Sequence, residues 1–340
     1  MKVSLVLAAL IVCGSLTSAS HAAETLSSEL SDAAYWKLIS DFSEPDGYFQ
    51  LEIVTSNEMT YQNPLPELTK TAKSGGVYLG VGPEQNFTYI AAMHPKLAFI
   101  VDIRRDMMLE HLMYKAVFEM SADRADFISN LFSRKRPADL PVDASVDAMF
   151  RAFISVPADH KLLDENLKAI MTRLKTTHHF PIDADDESRI RAIYLTFFEE
   201  GVATFRSSFG SPGYWSLMTR TDGSGKNWSY LVSKENYDRV RAMHQKNLIV
   251  PLVGDFAGPK TIRSVGQYVH DHDASVNVFY VSNVEDYISD RWSTWVKNVA
   301  SLPTDKSSML MRWRIGGWTS VDSVSEFVAE QQKINLARPK

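Results

Sequence analysis

The chain has 340 residues, 45% of them apolar and 23% charged, with a net charge of −5. This is ordinary globular composition with ample material for a core, and its acidic balance argues against a general nucleic-acid or anionic-membrane surface. Cys13 is the one cysteine and falls in the leader described next, so the rest of the chain has no disulfide, thiol nucleophile or cysteine metal site.

Residues 1–22 carry an early lysine, the apolar run VSLVLAALIVCGSL and the small-residue stretch SASHAA. This is the pattern of a secretory signal peptide cleaved after Ala22, and it predicts an exported, periplasmic protein. The apolar run is short for a bilayer span and no later stretch reaches that length, so no transmembrane segment is expected after cleavage. Residues 23–73 read as a helical lead-in, with Tyr35, Trp36, Leu38, Ile39 and Phe42 at helical spacing. Pro64 and Pro66 mark a connection to the sheet.

From Gly75 to Asp106 the chain reads GGVYLGVGPEQNFTYIAAMHPKLAFIVDIRRD. Val77 to Leu79 form a short buried strand, Gly80 and Gly82 allow a sharp turn open to a ligand, and Pro83 suits the first position of a helix reaching Met93. That helix stops ahead of Pro95. LAFIVDI then has the continuous apolar character of a strand covered on both faces, ending on Asp102 and Arg104. Asp102 follows Gly82 by twenty residues, a spacing that puts an acid at the tip of the neighbouring strand, where it can hold ribose hydroxyls.

These residues resemble the class I S-adenosylmethionine-dependent methyltransferase fold, in which a G-x-G turn follows the first strand and an acid ends the second. They are also similar to a family of exported bacterial proteins without assigned activity that share YLGVGPEQNFTYIA, FIVDIRR and FYVSNVE. The first resemblance implies a nucleoside-type ligand such as S-adenosylmethionine at the turn. Tyr78 stands where the methyltransferase pattern usually has an acid, and Glu84 where it has a third small residue.

Amphipathic helices follow from Met107 to Phe209, a helical insertion on the sheet, with Met107, Met108, Met113 and Met120 expected in the core. The adjacent His178 and His179 point apart in a strand or a helix and so are poorly placed for one metal, and the HDHD run from His270 to Asp273 reads as a polar helix end. The segment Ser208–Gly225 is glycine-rich, with Tyr214 and Trp215 expected to be exposed, and reads equally as a lid or a plain loop. LIVPLVGDFAGP gives a strand ending at Asp255, a second polar group at a strand's carboxyl end. VNVFYVSNVEDYI gives another, with Ser282 or Asn283 expected to cap the next helix.

Strands near Val77, Ala98, Tyr230, Ile249, Val278 and Leu310, with helical pattern between them, define an α/β fold: a doubly wound, mostly parallel sheet with helices on both faces. Its Rossmann-like domain spans residues 74–340. The candidate ligand-binding set is Gly80, Gly82, Asp102 and Asp255, with no catalytic or metal residue assigned. Two functions remain open: methyltransferase-like group transfer, or a non-catalytic binding or structural protein of the cell envelope. A cytosolic cofactor would not ordinarily meet an exported protein, and Tyr78 favours the second.

Overall fold

The structure, a computed structural model, describes residues 25–50, 54–202 and 213–337. The signal segment and the first part of the Ser208–Gly225 loop lie outside the described residues. In chain order the lead-in contains α1 (Asp32–Phe42) and α2 (Leu65–Thr71). The frame begins with β1 (Val77–Gly80), α3 (Gln85–Met93) and β2 (Leu97–Asp102). A long helical crossover follows: α4 (Arg105–Met120), α5 (Arg124–Phe132), α6 (Val146–Ile154), α7 (His160–Met171) with a π-helical turn at Thr172–Thr177, α8 (Ala184–Glu200), α9 (Tyr214–Met218) and α10 (Lys234–Gln245). The frame closes with β3 (Ile249–Val253), α11 (Thr261–Asp271), β4 (Val276–Ser282), α12 (Trp292–Ala300), β5 (Met309–Arg314), β6 (Trp318–Ser323) and α13 (Val324–Ala337).

The strands form one sheet in the order β3-β2-β1-β4-β5-β6. All neighbours are parallel except the last pair, where β6 folds back on β5. This is the mostly parallel α/β architecture expected, and it is Rossmann-like. The apolar runs of β1, β2 and β3 are buried to the last residue or nearly so, because helices cover both faces. α4 is buried along most of its length, from Met107 to Phe118, between the sheet and α8 and α10. Met107, Met108 and Met113 are core residues, and Met120 packs at its edge.

Three local expectations need correction. Tyr230 is not in a strand: Ser229–Val232 is a turn, in which the Tyr230 amide donates to Thr88 Oγ1 at 3.3 Å and its hydroxyl meets that of Tyr214. A three-residue apolar run serves a buried turn as well as a strand, and here no described strand pairs with it. Tyr214 is fully buried and Trp215 half-buried, because both lie on α9 against the helical block. The Pro64–Pro66 connection contains a short helix, which proline at its first turn favours. His178 places Nδ1 2.8 Å from Asp32 and Nε2 2.8 Å from Glu119, tying α1 to α4.

No helix among the described residues is long and apolar enough to cross a membrane.

Candidate functional site

β1 ends at Gly80, and the chain turns through Gly82 into α3. Gly82 has φ +79°, a conformation glycine reaches freely. Gly80 is needed for a different reason. A Cβ there would overlap Asn86 Oδ1 and stand 2.6 Å from the Tyr78 hydroxyl. That space holds a hydrogen bond donated by Tyr78 to Asn86 Oδ1, 2.7 Å long. Asn86 Nδ2 in turn lies 2.9, 3.0 and 2.7 Å from the carbonyls of Val81, Gly82 and Pro83. The room at the glycine turn is thus filled by the chain's own side chains, Asn86 and Tyr78. From α4, His111 donates through Nε2 to the Gly82 carbonyl at 2.9 Å. Burial pulls its pKa down to about 4, so the ring is neutral.

Residues 43–50 and 54–60 cross the carboxyl ends of the strands as a strap, in the order in which the strands lie in the sheet. The Glu44 amide donates to Val253 of β3 at 2.8 Å, and the Gly47 amide to Ile103, just beyond β2, at 2.8 Å. Thr55 Oγ1 and the Ser56 amide donate to Glu84, past the end of β1, at 2.8 and 3.2 Å. The hydroxyls of Tyr280 and Ser282 on β4 donate to Glu58. Thr60 Oγ1 donates to Gly317 at 2.8 Å and accepts from Trp313 Nε1 of β5 at 3.0 Å.

The strap also brings acids to helix starts. Glu44 Oε1 accepts from the amides of Lys260 and Thr261, each at 2.9 Å, and Oε2 from that of Asp255 at 3.2 Å. Asp46 accepts from the Arg105 amide at 2.7 Å. Neither α11 nor α4 has a side-chain cap from its own N-cap residue. Free N–H groups and the positive end of the helix dipole favour an anion there, and the chain supplies its own.

The strand order puts the topological switch point between β1 and β4, the crevice where open α/β sheets take ligands. Around it lie three fully buried glutamates: Glu58, Glu84 and Glu110. Burial pushes Glu58 and Glu84 up to about 7 against the hydrogen bonds they accept, and pushes Glu110 upward with the help of Glu84's charge. Gln85 bridges to this group, its Nε2 3.4 Å from the Tyr280 hydroxyl. Ser282, at φ +50°, has the left-handed backbone that serine rarely adopts and directs its hydroxyl to Glu58. The expectation that Ser282 or Asn283 caps the following helix is therefore corrected: the turn at Val284–Tyr287 has no side-chain cap.

Asp102 ends β2 as expected. Its Oδ1 accepts from the Arg104 amide at 3.0 Å and lies 3.5 Å from Arg104 Nε. Burial raises its pKa, with the Arg104 charge opposing. Asp255 ends β3, so it lies beyond β2 and on the far side from β4, not across the switch point. There it accepts from the Ala257 amide at 2.8 Å and pairs with Arg291. The structure thus brings Gly80 and Gly82 together, sets Asp102 on the next strand, and leaves Asp255 one strand further out. Sequence reading missed Glu58, Glu84, Glu110 and Tyr280. Glu84 had a signal in its departure from the small residue of the resembled pattern. The others had none, since their burial arises from distant segments.

Among the described residues no group of three or more His, Cys, Asp or Glu side chains is arranged to hold a metal ion. A family model described as a domain of unknown function, DUF7790, matches residues 53–335. Among curated proteins none matches the chain. The family match begins beside the described part of the strap that meets β1 and runs through the whole sheet into α13, and on that span the chain belongs to the DUF7790 family.

Proposed function

We propose that this is an exported, non-catalytic binding or structural protein of the cell envelope that keeps a methyltransferase-like frame and uses its ligand edge to hold its own N-terminal segment. The observation that supports this is the strap: its carboxylates take the starts of α4 and α11, and its 54–60 half is bonded at the ends of β1 and β4. The Tyr78–Asn86 bond and the Arg104–Asp102 pair commit the other two features that a nucleoside would use. Titration with S-adenosylmethionine, S-adenosylhomocysteine and adenosine is expected to give neither heat nor a rise in melting temperature. Asp102→Asn should lower the melting temperature without changing any binding event.

A second reading, group transfer with a nucleoside-type cofactor held by Gly80, Gly82, Asp102 and Asp255, is favoured by the position of Asp102 at the tip of β2 beside the turn. It requires stabilisation of about 2.7 kcal/mol at a hundred times the dissociation constant. It also requires that gain to fall in Asp102→Asn. Export is tested separately: mass spectrometry of the native protein is expected to find a mature form lacking Met1 to Ala22. A cytosolic protein that still begins at Met1 would remove the argument against S-adenosylmethionine.

A further inference from the structure

The two halves of the strap are fastened by different chemistry. In residues 43–50 the fastening acids are half-buried or exposed: Glu44 takes the amides of Lys260 and Thr261 at the start of α11 and that of Asp255 just after β3, and Asp46 takes the Arg105 amide and the charged Arg189 guanidinium, the latter at 2.8 Å. In residues 54–60 the fastening runs through two buried carboxyls whose hydrogen-bond partners among the described residues are neutral hydroxyls and a backbone amide. Glu58, on the strap, is 3% exposed and meets the hydroxyls of Tyr280 and Ser282. Glu84, at the start of α3, is 0% exposed and meets the Thr55 hydroxyl and the Ser56 amide.

We propose that residues 54–60 are a pH-operated cover over the switch point, fastened while Glu58 and Glu84 carry protons and released from the ends of β1 and β4 when they ionise. Burial favours the neutral acid of each carboxyl over its ion, and the hydroxyl and amide donors that face them offset this only in part. Among the described residues no cation faces the pair. Glu58 is faced by Tyr280 and Ser282 of β4, Tyr78 of β1, Tyr89 of α3, and Glu84. Glu84 is faced by Thr55, Ser56 and Tyr61 from the lead-in, Glu58, Glu110 and Tyr114 of α4, Tyr214 of α9, and Tyr230. His111 holds the adjoining turn as a neutral ring. Arg104 acts on Glu110, beyond Glu84, and is shared with Asp102.

Burial is the main cause that raises both acids, from an ordinary 4.5 to about 7. For an acid raised on folding, the added stability is complete below 4.5 and is lost as pH rises through the folded value. Each carboxylate then raises the cost of the other, since the Glu58 charge opposes ionisation of Glu84. Release would uncover the glycine turn and Gln85 while the 43–50 half stays pinned by its amides and Arg189. The cover does not depend on whether a nucleoside binds, so a failed S-adenosyl titration leaves it standing.

Hydrogen exchange of the mature protein, followed by mass spectrometry at pH 5.5, 7.0 and 8.5 and corrected for intrinsic rates, tests it. Protection of residues 54–62 is expected to fall by about tenfold or more from pH 5.5 to 8.5, while that of 43–48 stays level. Glu58→Gln and Glu84→Gln should each lessen that fall, and together they should hold 54–62 protected at all three values. Should either variant fail to fold, infrared spectroscopy of the wild type replaces it, with the buried carboxylic-acid band expected to vanish across the same pH range as the protection. Constant protection of 54–62, an equal loss in both glutamine variants, or no buried carboxylic-acid band at pH 5.5 would each overturn the proposal.

Discussion

Replacing Glu285 by alanine is expected to cost about 3–5 kcal/mol of stability, the usual penalty for stranding a buried charge by removing its partner. Glu285 follows β4 in the FYVSNVE stretch, and its side chain is 2% exposed. It accepts from Arg312 Nε at 2.6 Å, Arg312 Nη2 at 3.1 Å, Arg314 Nη2 at 2.8 Å and Trp295 Nε1 at 3.1 Å. One carboxylate therefore joins the end of β4 to β5 and to α12. Without it Arg312 keeps a single bond to the half-exposed Asp322, and the buried Trp295 indole loses its acceptor. Glu285→Gln should cost less, since an amide oxygen can still accept. Urea denaturation measures both, and an alanine variant within 1 kcal/mol of wild type would show that the cluster is not the clamp described.

Gly80→Ala is expected to cost about 2–6 kcal/mol, from overpacking of about 1–3 kcal/mol together with a lost buried hydrogen bond of similar size. The added methyl would collide with Asn86 and with the Tyr78 hydroxyl, and Asn86 in turn holds three carbonyls of the turn. Tyr78→Phe serves as the control: it removes the hydroxyl without adding volume, at a cost of about 1–3 kcal/mol. A Gly80→Ala protein as stable as wild type would mean that the glycine is spared for a ligand and not for internal packing. Chemical denaturation distinguishes the two.

Much of the frame was legible from local pattern alone. Continuous apolar runs at Val77, Leu97, Ile249 and Val278 identify strands buried on both faces, because a sheet covered by helices on both sides buries every side chain of a strand. The helix after Pro83 and its stop before Pro95 follow from proline's restrictions on its own and the preceding residue. Asp102 at the tip of β2 follows from counting along a strand, turn, helix and strand. Tyr230 was misread because a three-residue apolar run carries no periodicity long enough to separate a strand from a buried turn.

What each residue at the sheet edge meets was decided only by the tertiary structure. Gly80 and Asp102 read as ligand-binding residues in one dimension, and folding gives them Tyr78, Asn86 and Arg104 as partners. Glu44 and Glu58 look like any surface acids in the lead-in, yet one closes the start of α11 and the other is buried against β4, more than two hundred residues away. Asp255 ends a strand as its sequence says, but whether that strand lies beside β2 or across the switch point depends on the sheet order. The physical reason is the same in each case. Propensity and periodicity act over a few residues, whereas the burial of a carboxyl and the donors it finds are set by segments that meet only when the chain has folded.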